Sequence, residues 1–169
     1  LQGHPVSLHI TTFEGASALS DFRIAQLLPR LAEISPHIQG INARFVHLVA
    51  TTAPLQDAQK HTLAALLTYG EPYAGPSDGP VIVVSPRIGT VSPWASKATD
   101  IAHNCGLSVK RVERLVEYRV QCASGWLRSA SFSEDQWQAI AAILHDRMTD
   151  NVLRERHHPA PKTAPMART

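Results

Sequence analysis

The sequence predicts an α+β fold of internally duplicated β-α-β-α units, with a mostly antiparallel sheet and helices packed on one face. Three observations predict it. Strand-like alternation and 3.6-residue apolar stripes follow one another along the chain. Six Gly or Pro residues between Gly70 and Pro80 interrupt regular structure near the middle. The apolar positions on either side of that seam repeat at a nearly constant offset. The 169 residues, 44% hydrophobic and 18% charged, suffice for a globular core but leave little room for an enzyme with separate substrate and nucleotide domains.

In the first unit, Val6 to Thr12 reads as a strand. A helix is expected after the Gly15-Ala16-Ser17 opening, with Ile24, Leu27, Leu28 and Leu31 on its inner stripe. Pro29 lies inside it, where the lost N–H and ring clash cost ~3 kcal/mol, so a kink or early stop is expected. Ile41, Ala43, Phe45, His47 and Val49 line one face of a second strand, and Val46 and Leu48 make its other face partly apolar. Asp57 to Tyr69 reads as a helix with Leu63, Leu66 and Leu67 inward, and Gly70 as its left-handed terminator.

Past the seam, Val81 to Val84 is a short apolar run suited to a buried strand. Ser92 is placed to cap the next helix, with Pro93 at its first position. Its expected core stripe is Trp94, Ala98, Ile101, Ala102 and Cys105, and Gly106 ends it. The strand that follows puts Val112, Val116, Tyr118, Val120 and Cys122 on one face, with Arg111, Glu113, Glu117, Arg119 and Gln121 on the other. That second face is expected to meet solvent or another domain. Ser133 and Gln136 form a capping box, Phe132 staples onto Trp137, and the last helix turns Trp137, Ile140, Ala141, Leu144 and Met148 inward.

An offset of 74 carries Ile24, Leu27, Leu28 and Leu31 onto Ala98, Ile101, Ala102 and Cys105, and Gly15 onto Gly89. An offset of 73 carries Phe45 and Val49 onto Tyr118 and Cys122, and one of 77 carries Leu63, Leu66 and Leu67 onto Ile140, Ile143 and Leu144. Tandem duplication explains this, with chance alignment of two amphipathic units as the alternative. The expected division is a first repeat over 1–75, a second over 76–150, and the start of a linker over 151–169, where Pro159, Pro161 and Pro165 stand.

Sixteen basic and fourteen acidic residues give a net charge of +2. They are spread along the chain, which argues against a nucleic-acid partner. Aromatics at 6%, mostly in core stripes, leave few stacking positions for RNA. No apolar run approaches the ~20 residues of a membrane-spanning helix, and Leu1 to Ile10 carries Gln2, His4 and Pro5 where a secretory signal would be apolar. A soluble, cytoplasmic protein with no membrane partner is expected, with Cys105 and Cys122 as reduced thiols.

The densest run of unusual residues joins the third strand to the third helix. Backbone donors at that helix start, the Thr90 and Ser92 hydroxyls, and the cations Arg87 and Lys97 are suited to a phosphate or carboxylate. The competing reading is a strand-to-helix turn that needs its Gly, Ser and Pro for backbone geometry. It is not a Walker loop, since Lys97 lies eight residues beyond Gly89. Ser96, Thr99 or Asp100, and His103 share a polar stripe, but one straight helix does not hold a hydroxyl and an imidazole in catalytic geometry. His103 and Cys105 point apart at i and i+2, so no metal site is expected. The segment is expected to carry no catalytic residue.

The string Pro86-Arg-Ile-Gly-Thr-Val-Ser-Pro-Trp-Ala-Ser-Lys-Ala-Thr-Asp-Ile-Ala-His-Asn-Cys-Gly106 closely resembles the N-terminal region of the large, single-chain phosphoribosylformylglycinamidine synthases. So do Ala18-Leu-Ser-Asp-Phe-Arg-Ile24, Arg44-Phe-Val-His47, Ala53-Pro-Leu55 and Leu144-His-Asp-Arg-Met148. These are glutamine-dependent amidotransferases of purine biosynthesis. The resemblance covers residues 13–165, with departures at Ile88 and Ala95, where the family usually has proline and serine, and at Pro29.

The resemblance implies a PurS-like pseudo-dimer, the family's N-terminal domain being similar to a fused pair of small PurS-type subunits. It implies a full-length ligase, expected to be a monomer, that uses ATP and magnesium on formylglycinamide ribonucleotide, with ammonia from a cysteine-dependent glutaminase. The implied partners are the synthetase and glutaminase domains of the same polypeptide, so no cofactor is expected in this segment. A packing and gating role follows, with Arg87, Thr90, Ser92, Ser96, Lys97 and Thr99 on a loop facing the synthetase active site, the ammonia path or the domain interface. The alternative is a free-standing tandem α+β regulatory module that binds a small phosphate-bearing or amino-acid ligand between its halves.

Overall fold

Hydroxyl and amide side chains set the helix starts. A computed structural model describes residues 8–76, 79–86, 92–123, 132–146 and 150–153. Ser20 Oγ accepts from the Arg23 N–H at 3.1 Å and opens α1 (Asp21–Ile34). Ser92 Oγ accepts from Ala95 at 3.0 Å and, with Pro93 in the first turn, opens α3 (Pro93–Asn104). α2 (Asp57–Leu66) and α4 (Glu134–Leu144) start alike: Gln59 and Gln136 reach back to the N–H of Gln56 and Ser133 at 2.8 and 3.1 Å. Each bond satisfies an amide that the helix leaves without a partner. α3 ends as expected at Gly106 (φ +83), whose N–H bonds the His103 carbonyl while Leu107 bonds that of Ala102. This is a Schellman closure, which needs a residue free to turn left-handed.

The strands are β1 (His9–Ser17), β2 (Ile38–Thr51), β3 (Val81–Pro86), β4 (Arg111–Cys122) and β5 (Asp150–Leu153). They form one sheet of order β1-β2-β4-β3-β5, antiparallel at every pair. The fold is therefore α+β with alternating β-α units, and the units meet at the central β2–β4 pair. Arg44 stands opposite Glu117 there. The offset of 73 carries Arg44 onto Glu117, so this pair lies at the centre of the approximate repeat.

From Ile41 onward the odd residues of β2, with the even residues of β4 and β3, face the helices; a register shift between Ile38 and Gly40 brings Ile38 to the same side. α1 and α4 cover one end, packing Leu27, Leu31, Ile140 and Leu144 on Ile41, Ile82, Val84 and Val120. α2 and α3 cover the other, packing Leu63, Leu67 and Ala102 on Val49 and Val112. Each core thus takes one helix from residues 1–75 and one from 76–150, and neither repeat closes a core by itself. Residues 1–75 expressed alone are expected to show no cooperative urea transition, whereas the whole chain shows one; a sigmoidal transition in the fragment would refute the shared core.

The opposite face carries a smaller cluster of Val46, Leu48, Val83 and Leu115. The connection from α2 to β3 runs across this face. Glu71 O accepts from Ser17 N–H at 2.8 Å on β1, the Tyr73 ring lies 5.0 Å from the Arg44 guanidinium on β2, and Gly79 O accepts from Arg119 at 3.3 Å on β4. The polar face of β4 is accordingly not solvated throughout, since Glu117 is only 1% exposed.

Several expectations are corrected. β1 continues through Gly15-Ala16-Ser17, where the register shifts at Gly15 and Ala16, and Ser17 pairs with Arg44 of β2; α1 starts later, at Asp21. α1 runs past Pro29: Pro29 and Ala25, whose carbonyl loses its partner, are both exposed, while Leu27 and Leu31 anchor the turns around them. α2 stops at Leu66; Gly70 is left-handed (φ +75) but lies in the connection beyond. In α3, Ala95 and Ala102 face the core while Ile101 and Cys105 are exposed. The 74-residue helix offset therefore fails, and the N-caps Ser20 and Ser92 stand 72 apart. The offset of 77 agrees with burial at each position, Leu63, Leu66 and Leu67 matching Ile140, Ile143 and Leu144. Residues 151–153, expected to begin a linker, pair with β3 as β5. Met148 and Gly89 lie outside the described residues.

Candidate functional site

The start of α3 rests on a cluster of rings and one cation. Trp94 is the second residue of α3, and its ring stacks on His47 of β2 at 5.5 Å and 29°. Arg114 of β4 stands directly opposite His47 in the sheet. Its guanidinium lies 4.4 Å from the Trp94 ring centroid and 4.2 Å from that of Phe45. Tyr69, beyond α2, closes the group with its ring edge toward His47 at 5.6 Å. Strand alternation brings Phe45, His47 and Arg114 to one face, and the Ser92–Pro93 cap fixes where Trp94 enters.

The protons in this cluster can be assigned from chemistry. His47 Nδ1 lies 3.3 Å from the Phe13 carbonyl, which only accepts, so Nδ1 carries the hydrogen. In the neutral ring Nε2 then accepts, and the Tyr69 hydroxyl 2.7 Å away donates to it. The Tyr69 oxygen in turn accepts from Arg114 Nη1 at 3.2 Å. The chain runs from cation to phenol to imidazole to backbone. His47 is fully buried. Burial pushes its pKa down to about 4, the Phe13 bond opposes this, and the Arg114 charge adds to the lowering.

Gly15 of β1 makes room for the imidazole. A Cβ there would lie 2.5 Å from His47 Cε1 and 3.2 Å from the Phe45 carbonyl oxygen. The ring is held by Trp94, Tyr69 and two hydrogen bonds and has little freedom to retreat. Gly15→Ala is therefore expected to cost about 1–3 kcal/mol as overpacking, read as a lower urea midpoint; an unchanged midpoint would mean the imidazole moves freely.

The six residues expected on the loop are placed as follows. Arg87 and Thr90 lie outside the described residues. Ser92 Oγ is taken by the cap. Thr99 Oγ1 donates to Ala95 O at 2.7 Å and accepts from the Val112 N–H at 3.1 Å, so it clips α3 to β4. Ser96 and Lys97 are exposed. His103 Nε2 donates to the Val109 carbonyl at 2.7 Å, tying down the end of α3 rather than facing Ser96. Cys122 is buried, and burial pushes its thiol pKa up, as suits a core residue. Among the described residues no three His, Cys, Asp or Glu side chains converge as metal ligands, and no helix is long and apolar enough to cross a membrane.

Phe45, His47 and Trp94 entered the sequence reading as core positions, and Arg114 and Tyr69 as no site at all. A signal was present: Arg114 occupies an inward position between Val112 and Val116, where a charge demands a reason. These five side chains all fall within residues 44–161, which match the family described as Formylglycinamide ribonucleotide amidotransferase N-terminal. The chain belongs to this family. It is thus an N-terminal domain of phosphoribosylformylglycinamidine synthase, a ligase of purine biosynthesis. The match takes in α2, β3, α3, β4, α4 and β5 entire, together with the connection that crosses the sheet.

Proposed function

We propose that this domain is a packing and gating module of phosphoribosylformylglycinamidine synthase, without catalytic activity of its own, and that residues Arg87 to Thr99 face the synthetase active site or the ammonia path. In the full enzyme ATP and magnesium would activate the amide oxygen of formylglycinamide ribonucleotide. Ammonia from a cysteine-dependent glutaminase domain would then displace it to form the amidine. The described residues at the start of α3 make a poor nucleotide cradle, because Ser92 already caps the Ala95 amide and Thr99 is bonded to backbone on both sides. On this reading ATP and magnesium belong to the synthetase domain, and the enzyme is a cytoplasmic monomer.

The observation that carries this reading is the family match across the whole segment from Pro86 to Gly106. The outer side of α3 supports it. Lys97 and, one turn on, Ile101 are exposed together, and Ile101 at 44% is a large apolar side chain left outside the core. Such a pair suits contact with another domain. In the full enzyme, Arg87→Ala and Lys97→Ala are expected to lower amidine formation while leaving the thermal unfolding of the domain unchanged. A fully active, folded double variant would reduce the segment to a structural turn. Amidine formation by the isolated domain supplied with ATP, glutamine and substrate would refute the assignment of catalysis elsewhere.

A further inference from the structure

Four arginines stand on β2 and β4, and three of them have carboxylate partners. Arg44 meets Glu14 at 3.1 Å and Glu117 at 3.0 Å, Arg111 meets Glu113 at 2.5 Å, and Arg119 meets Glu117 at 3.8 Å. Arg114, half-buried, has no carboxylate partner among the described residues. The residue opposite it is His47, a neutral ring with both nitrogens already bonded.

The guanidinium of Arg114 is nevertheless firmly placed. Phe45 and Trp94 lie against it at 4.2 and 4.4 Å, and Nη1 donates to Tyr69. Its Nε and Nη2 hydrogens have no protein acceptor among the described residues. A planar cation stacked on aromatic faces keeps its fork of donors in one orientation. Two parallel N–H groups at that spacing match the paired oxygens of a carboxylate or phosphate. The rings beside it are apolar, so an oxyanion there would feel less screening than on an open surface.

We propose that the unpaired Nε–Nη2 edge of Arg114 is a binding site for one oxyanion, a carboxylate or phosphate group. The site stands on described side chains from β2, α3 and β4 and goes beyond the proposed gating role of the Arg87 to Thr99 segment. The oxyanion has two sources of the same chemistry: a phosphate-bearing small molecule, or an Asp or Glu side chain of a docked segment.

The whole chain, uniformly labelled with nitrogen-15, is titrated separately with inorganic phosphate and with acetate. The Arg114 Nε–Hε and Trp94 indole N–H resonances are followed. A saturable shift of both resonances is expected with at least one anion, and the Trp94 response should weaken about tenfold in Arg114→Lys, which keeps the charge but loses the fork. Response to phosphate alone supports a phosphate-bearing ligand, and response to acetate alone supports a docked carboxylate. Absence of a saturable shift with either anion in the unaltered chain overturns the proposal, whether or not the variant folds. A Trp94 shift retained at full strength in Arg114→Lys overturns it too.

Discussion

Lowering the pH from 7 to 4.5 is expected to remove about 2.5 kcal/mol of folding stability through His47 alone. The folded-state pKa is held down to about 4, against an ordinary value of 6.5 in the unfolded chain. Between those values the unfolded chain takes up a proton that the folded protein refuses. Stability is therefore highest above pH 6.5, falls as the pH drops through the window, and levels off below about 4, the whole difference being worth about 3 kcal/mol. The refusal has a structural cause. A proton on Nε2 would turn the acceptor of the Tyr69 hydroxyl into a second donor, in a fully buried ring opposite the Arg114 cation. Urea unfolding of the unaltered chain and of His47→Gln at both pH values isolates the effect, because the carboxylates contribute alike to both. The variant should be the less stable at pH 7 and should show a smaller fall to pH 4.5. Equal falls in the two proteins would mean that His47 is already charged, or solvated, in the folded state.

The same cluster shows how far the sequence can be read. Periodicity is a property of one element at a time, and it placed Phe45, His47 and Val49 on one face of β2 and Ser92 at the head of α3 correctly. What a ring or a cation meets across the sheet depends on strand order, and the pairing of His47 with Arg114 exists only because β2 and β4 are neighbours. The inner stripe of α3 was misread for a related reason. Ile101 and Cys105 are the more apolar choices by residue type, yet the helix turns its small residues Ala95 and Ala102 to the sheet. With Leu107, Val109 and Trp94 filling the space beside them, close approach outweighs side-chain area. Capping was legible at Ser92 and in the Ser133–Gln136 box, where it joins residues three apart, but Ser20 and the Gln56–Gln59 box were not read as caps. β5 was hidden because four residues after a helix carry no periodicity of their own and are ordered by the edge of β3.

Glu117 is the residue whose loss is expected to cost most. Alternation put it on a polar face of β4, and in the fold that face is closed at Glu117 by charged neighbours and by the connection that crosses the sheet. Its Oε1 is 3.0 Å from Arg44 Nε and 3.8 Å from Arg119 Nη2, at 1% exposure. Glu117→Ala would leave two largely buried guanidinium groups facing each other across the central strand pair, with Arg44 keeping Glu14 and Arg119 losing its carboxylate. Removing one partner of a buried ionic group costs about 3–5 kcal/mol, and urea unfolding should show a loss of that size. Glu117→Gln keeps the shape and an acceptor but not the charge, so it should recover only part of it. The damage should also have a place. Arg44 lies against Tyr73 and Arg119 donates to Gly79, so the charges that Glu117 fixes are those that hold the crossing connection to the sheet. Cleavage of the variant by a broad-specificity protease should begin between residues 70 and 80 under conditions where the unaltered chain resists. A loss below about 1 kcal/mol, in the range of exposed ion pairs, together with an unchanged cleavage pattern, would show that water serves these arginines as well as Glu117 does.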